Sequence, residues 1–168
     1  AWKRFAASGT WRYEIVAPGY KYNMPDIMAA LGIHQLKKAD YFMEERGKIA
    51  MRSGELLSDI SDRLLLPSER KGIRSSWHIY PVRVIKGRNK VGRDELIEKL
   101  KERGIVTSVH YIPLHLHKYY RDRYGFSEGD FPVSERLSSE CVSLPIYPGL
   151  KKVDLIYVAE NIRKILRG

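Results

Sequence analysis

The sequence predicts an α/β protein in which a helical arm precedes a small sheet covered by helices. Two observations predict this architecture. In the second half, runs of β-branched and aromatic residues alternate with amphipathic helical patterns, whereas the first half has two helical patterns after an extended run. With 168 residues and a hydrophobic fraction of 43%, the chain can bury a core.

The first half begins with an extended run at residues 10–22. A helix then opens at Pro25-Asp26, since proline is tolerated in a first turn and an acid there complements the helix dipole. A second helix is predicted from about Tyr41 to Asp59, with Asp40 as its N-cap. Its apolar positions repeat at seven, at Phe42, Ile49 and Leu56. Together the two linking helices form a long arm.

The second half contains three predicted strands, at residues 77–85, 105–111 and 141–148. Pro81 lacks an N–H donor, so we expect the first of them to be an edge strand or to be irregular. Amphipathic patterns predict three helices, and Gly104 is the expected end of the first one. These helices cover residues 93–104, 133–140 and 153–166.

The net charge of +10 favours anionic partners such as phosphorylated metabolites, nucleotide-linked substrates, acidic lipid or nucleic acid. However, the 30 Lys and Arg residues are spread along the chain among 20 acids. Scattered basic residues of this kind are mostly solvated surface, which disfavours a nucleic-acid role.

Cysteine content and hydropathy bear on location. The single cysteine, Cys141, cannot form an internal disulfide, which fits a reducing compartment. The chain has no run of 18 apolar residues, and its first ten residues lack the apolar region of a signal peptide. We therefore expect a cytoplasmic protein without membrane contact.

The segment HYIPLHLH at residues 110–117 holds three of the five histidines, His110, His115 and His117. A structural zinc site needs four nitrogen or sulfur ligands, but the only cysteine is distant and neither HExxH nor paired CxxC occurs. The pattern therefore disfavours a metal site. Two interpretations stay open on the residues alone: a strand end with partly buried histidines, or part of an active site.

Four motifs occur in a recognisable order. The first is PGYKYNMPDIMAALGIHQLKK at residues 18–38, followed by SSWHIYPVR (75–83), HYIPLH (110–115) and SLPIYPGL (143–150). The first run resembles the hallmark G-Y-[NK]-Y-[RN]-M, A-A-[LI]-G and Q-L pattern of the DegT/StrS family of pyridoxal-phosphate sugar aminotransferases. The other three follow in the order of that family, so the resemblance covers nearly the whole chain.

The resemblance implies the C-terminal part of a fold-type I aminotransferase of the aspartate-aminotransferase type. Residues 1–60 would be the end of the large domain with its dimer-contacting loop and linking helices, and residues 61–168 the C-terminal small domain. In the family, the lysine that forms the Schiff base with the cofactor lies in an S-x-x-K pattern soon followed by G-E-G-G. That combination does not occur in this sequence, so we expect no catalytic residue in it and no activity from this chain alone.

The resemblance also implies contacts for several side chains. Lys21 would reach across a homodimer interface to the cofactor phosphate, flanked by Tyr20 and Tyr22. Asn23 occupies a substrate-side position where many members have arginine. His110 and Tyr111 would contact the substrate at the mouth of the active site, while His115 would be structural and His117 incidental.

The implied reaction is transfer of an amino group, usually from glutamate, to a keto carbon of a nucleotide-linked sugar. Its cofactor would be pyridoxal 5'-phosphate, and its product an amino sugar for a polysaccharide, glycan or antibiotic. The implied partners are a second copy of the chain, or the missing N-terminal half. Two alternatives from other classes stay open: a freestanding binding or regulatory domain, with DNA as one partner to test, and a dimerisation domain.

Overall fold

A computed structural model of the chain describes residues 17–167. Most of the extended run predicted at residues 10–22 lies outside these residues. The chain divides between Lys37 and Lys38 into two compact units. Helix α2 therefore belongs to the same unit as the sheet, while the division of the whole enzyme at residue 60 stays a prediction.

The first unit contains one helix, α1 (Asp26–Leu36). Pro25 is the N-cap, with an extended backbone, and Asp26 lies in the first turn as expected. No residue of α1 is buried among the residues described. Its apolar side chains, such as Ile27 at 78% exposure, therefore face solvent or a partner that the described residues do not provide.

The second unit opens with α2 (Ala39–Leu57), which a 3₁₀ turn (Ser58–Ile60) extends. The seven-residue apolar repeat lies on the packing side of the helix: Ile49 is buried, Leu56 packs against the core and Phe42 is half-buried. The N-cap prediction is wrong. The helix begins one residue before Asp40, so this carboxylate lies in the first turn, where it complements the helix dipole.

The sheet has three antiparallel strands in the order β1-β2-β3. They are β1 (Leu64–Leu65), β2 (Tyr80–Val84) and β3 (Cys141–Leu144). Along β2, burial alternates with a period of two, so one face carries the apolar side chains into the core. The other face carries Pro81 and Arg83, which pair with Ser143 and Cys141 of β3.

Pro81 lies in the central strand, so the expectation of an edge strand is wrong. The N–H of Ile85 donates to the carbonyl of Arg63 (2.9 Å), on the β1 side of β2. Because successive residues alternate in direction, the nitrogen of Pro81 faces the same side. There β1 pairs only as far as Arg83, so no neighbouring carbonyl of β1 requires an N–H from Pro81.

The strand predicted at residues 105–111 is reduced to a single bridge. Ser108 exchanges two backbone hydrogen bonds with Ser143, at 3.2 and 2.8 Å, along the other edge of β3. The rest of this segment has no regular secondary structure. This bridge is nevertheless important, because it anchors the start of the loop that carries His110.

The remaining predicted helices are confirmed within a few residues. They are α3 (Arg93–Lys101), α5 (Pro132–Glu140) and α6 (Lys152–Arg167), and a short α4 (Lys118–Tyr124) lies before α5. Gly104 follows α3 in the left-handed region, with φ of 72°, as its predicted end requires.

The core of the second unit lies between one face of the sheet and helices α2, α3 and α6. Leu57, Leu96, Val82 and Ile162 are essentially inaccessible to solvent. Burial of each such side chain contributes about 1.5–3 kcal/mol. Among the helices described, none is long and apolar enough to cross a bilayer.

Candidate functional site

In the first unit, residues 20–23 form an exposed loop immediately before α1. The side chains of Tyr20 and Tyr22 are 87% and 85% exposed, and their ring centroids lie 5.6 Å apart. Lys21 and Asn23 are exposed as well. In the described part of the chain Lys21 makes no ion pair, so its ammonium is available to an external anion.

The donor groups of this loop fit a phosphate. An ammonium is a compact charge partner for phosphate oxygens, and two phenol hydroxyls can donate further hydrogen bonds. The aldehyde end of pyridoxal phosphate needs the family's lysine, in S-x-x-K followed by G-E-G-G, and this loop lacks that pattern. The S-x-x-K spacing occurs once, at Ser68–Lys71, where Gly72 and Ile73 follow in an exposed loop instead of G-E-G-G. The loop at residues 20–23 therefore offers donor groups for the phosphate end of the cofactor only.

The three histidines of HYIPLHLH have three different environments. His110 is exposed, His115 is buried, and His117 is exposed at the N-cap of α4. Within residues 17–167, no three His, Cys, Asp or Glu side chains are grouped closely enough to hold a metal ion. The segment thus divides into a surface part around His110 and a structural part around His115.

His110 is held against β3 by Ser143, a residue whose role no local sequence pattern indicates. Its Nδ1 lies 2.9 Å from Oγ of Ser143, a residue with only 7% exposure. The ring of Tyr111 stands edge-on to that of His110, with centroids 4.9 Å apart. The hydroxyl of Ser138 in α5 donates to the carbonyl of Tyr111 (3.1 Å). The predicted substrate contacts His110 and Tyr111 are thus adjacent, exposed and anchored on both sides.

His115 has the structural role that the resemblance implied. Its Nε2 lies 2.7 Å from Oε1 of Glu135, and its ring packs against Phe131 with centroids 4.7 Å apart. The carboxylate of Glu135 also accepts hydrogen bonds from the backbone N–H groups of Gly129 (3.0 Å) and Phe131 (3.2 Å). This network joins the histidine loop to the segment before α5.

The Glu135 network changes the acidity of the carboxyl group. Burial alone would raise the pKa of Glu135, but the hydrogen bonds from His115, Gly129 and Phe131 stabilise the carboxylate more strongly. The net result is a pKa below the usual value of 4.5. Glu135 is therefore a charged anchor at neutral pH, not a general acid.

The sheet face opposite the core carries a second ionic contact. Nε and one terminal nitrogen of Arg83 donate to Oε2 of Glu140, at 3.0 and 2.5 Å. Burial raises the pKa of the neighbouring Cys141 thiol, although Arg83 acts in the opposite direction. A thiol with a raised pKa is a poor nucleophile, in agreement with a structural role for Cys141.

The fold defines a class of protein, part of an aminotransferase, and it leaves Lys21, His110 and Tyr111 exposed. The model of the DegT/DnrJ/EryC1/StrS aminotransferase family matches residues 2–163. The chain belongs to this family. The aminotransferases of the family depend on pyridoxal phosphate.

Similar proteins support the assignment. An uncharacterised protein of Methanocaldococcus jannaschii is 45% identical over 166 residues, which are 99% of this chain and 43% of that protein. The spore coat polysaccharide biosynthesis protein SpsC of Bacillus subtilis is 41% identical over 169 residues, which are 100% of this chain and 43% of SpsC. The chain therefore spans about two fifths of the length of these curated relatives.

A solved structure shares the fold. Spr1654 of Streptococcus pneumoniae, assigned as a sugar aminotransferase and solved in its pyridoxal phosphate form, superposes with a TM-score of 0.80. It is 30% identical, and the match covers 93% of this chain and 39% of that one. The predicted fold class, part of a pyridoxal-phosphate aminotransferase, is confirmed.

Proposed function

We propose that this chain is part of an aminotransferase that moves an amino group from glutamate to a keto carbon of a nucleotide-linked sugar. The observation that carries the proposal is the family match over residues 2–163. The 41% identity to SpsC, a protein of spore coat polysaccharide biosynthesis, favours an amino sugar for a cell-surface polysaccharide as the product. The expected compartment is the cytoplasm, where nucleotide-linked sugars are made.

The cofactor, when bound, supplies the electron sink that carries the amino group. Lys21 would contact its phosphate in the neighbouring subunit of a homodimer, with Tyr20 and Tyr22 as further donors. The full exposure of this loop supports such a role, because a solvated ammonium gains a partner without losing one. The exposed apolar side chains of α1 support a subunit contact close to it in sequence.

Asn23, His110 and Tyr111 are the proposed substrate contacts. Asn23 is neutral where many family members have arginine, so it would recognise a substrate oxygen by a hydrogen bond and not by charge. His110 and Tyr111 each combine a flat apolar body with one polar group, which suits a sugar ring with hydroxyl groups. Their exposure, and the anchoring of His110 by Ser143 and of the Tyr111 backbone by Ser138, support this role.

The motifs indicate which parts of the active site these residues would supply. These 168 residues would supply phosphate and substrate contacts, with residues 1–60 as the end of the large domain and residues 61–168 as the small domain. They lack the S-x-x-K and G-E-G-G combination that carries the cofactor lysine. The 168-residue polypeptide alone should therefore be inactive.

The test is transfer of ¹⁵N from labelled glutamate to a panel of nucleotide-linked keto sugars by the complete polypeptide that the gene encodes. We expect labelled amino sugar from at least one member of the panel, and a higher KM for that sugar in His110→Ala. A complete polypeptide that binds pyridoxal phosphate but labels no sugar, while it aminates simple keto acids, would contradict the substrate class.

A further inference from the structure

We infer that Ser143 is a positioning residue that fixes His110 as a hydrogen-bond donor through Nε2–H. The ligand group that His110 takes would then be an oxygen acceptor of the sugar substrate, a carbonyl, hydroxyl or phosphoryl oxygen. The identity of the ligand rests on the proposed function, whereas the Ser143–His110 contact stands on geometry.

The first step concerns the hydrogen of the Ser143 hydroxyl. Ser143 has 7% exposure, and a buried hydroxyl that donates to nothing is costly. Over residues 17–167, Nδ1 of His110 at 2.9 Å is the hydrogen-bond partner of its Oγ. The hydroxyl therefore donates, and Nδ1 accepts.

The hydrogen bond from Ser143 determines the tautomer of His110. A neutral imidazole carries its hydrogen on one nitrogen, so a ring that accepts at Nδ1 is protonated at Nε2. Nε2 of the exposed ring makes no hydrogen bond inside the described part of the chain. The ring thus presents a donor to the outside, which excludes a donor-only ligand group such as an ammonium at this position.

Backbone pairing holds Ser143 in a fixed position. Ser143 is paired through both backbone groups with Ser108, at 3.2 and 2.8 Å, and lies in β3 beside the central strand. Its hydroxyl therefore has a fixed position on the sheet face that carries Pro81 and Arg83. Ser138 holds the same loop by a different hydrogen bond, which goes to the carbonyl of Tyr111 and not to the imidazole.

Long-range ¹H–¹⁵N NMR of His110 tests the geometric part at a pH where the ring is neutral. The wild-type chain should show a hydrogen-bonded, pyridine-like Nδ1 and a pyrrole-like Nε2. Ser143→Ala should shift the Nδ1 signal toward that of a free histidine peptide, whereas Ser143→Thr should keep it. Ser138→Ala is the matched control, because it loosens the loop without changing the partner of Nδ1.

Kinetics of the complete enzyme test the functional part. We expect Ser143→Ala to raise the KM for the sugar about fivefold with little change in kcat, the loss of one ordinary hydrogen bond. In His110→Ala, adding Ser143→Ala should change KM no further, because Ser143 acts through His110. A merely structural serine would instead add its effect to that of His110→Ala.

The two parts can fail separately. An unchanged His110 signal in Ser143→Ala, or a wild-type ring protonated at Nδ1, would overturn the positioning role. A wild-type KM in His110→Ala with the NMR result intact would overturn the substrate contact and leave the tautomer assignment standing. If Ser143→Ala does not fold, the Nδ1 signal in wild type and Ser143→Thr still decides the assignment.

Discussion

Nε2 of the buried His115 lies 2.7 Å from Oε1 of the partly buried Glu135, and this pair joins the HYIPLHLH loop to helix α5. The loop presents His110 at one end and is secured by His115 at the other. Two histidines five residues apart thus have opposite environments, His110 exposed and His115 buried. The first prediction follows from the carboxylate of this pair.

Glu135 makes stability depend on pH. The pKa of Glu135 is lower in the folded protein than the usual value of 4.5. Its contribution to the free energy of unfolding is therefore present above pH 4.5 and is lost as pH falls through the folded pKa. We expect Tm to fall more steeply below about pH 4.5 in wild type than in Glu135→Gln. Glu128→Gln, which changes an exposed neighbour, is the control and should follow wild type.

Tyr80 makes stability depend on pH at the alkaline end. Burial raises its pKa from the usual 10.0 to about 12. The pKa of Tyr80 is higher in the folded than in the unfolded protein. Its contribution to the free energy of unfolding is therefore complete below pH 10 and is lost as pH rises toward 12. In Tyr80→Phe, urea unfolding should show less alkaline destabilisation, and the ultraviolet titration should lose its latest phenolate. An unchanged titration curve would refute the buried environment of Tyr80.

The Arg83–Glu140 pair should stabilise the second unit measurably. Glu140 is nearly buried and accepts two hydrogen bonds from one guanidinium, so Glu140→Gln should cost about 2 kcal/mol. The control is Glu95→Gln, which breaks an exposed pair with Lys99 and should cost less than about 0.5 kcal/mol. Urea unfolding measures both, and equal losses would show that burial adds nothing at Glu140.

Mixed dimers test the proposed reach of Lys21. Lys21→Gln should weaken pyridoxal phosphate binding by the complete enzyme about tenfold, whereas Lys37→Gln, another exposed lysine of the first unit, should not. When Lys21→Gln subunits are mixed with subunits that lack the cofactor lysine, each mixed dimer should regain one intact site at limiting cofactor. No gain on mixing would mean that Lys21 acts within its own subunit.

Local patterns predicted the helices well, because the apolar spacing of α2, α3 and α6 is also the packing face of each. The same local patterns gave wrong predictions where the pairing of strands decides the structure. Pro81 predicted an edge strand or an irregular one, yet its strand is the central one. The proline is tolerated there because β1 is too short to face its nitrogen. The run at residues 105–111 has strand composition but makes a single bridge at Ser108.

The candidate site divides in the same way. The motifs predicted ligand contacts for Lys21, His110 and Tyr111, and all three side chains are exposed. Glu135 and Ser143 were missed because each acts on a histidine 20 or 33 residues away in sequence. No local signal marks such partners. The structure places Glu135 in the first turn of α5, where an acid complements the helix dipole.

Borohydride reduction in the presence of pyridoxal phosphate shows whether these residues provide contacts without the cofactor lysine. The 168-residue chain and the complete polypeptide are reduced side by side, and their masses are compared. We expect a stoichiometric pyridoxyl phosphate adduct on the complete polypeptide, at a lysine outside these 168 residues, and none on the shorter chain. A specific, stoichiometric adduct on the 168-residue chain alone would contradict this expectation.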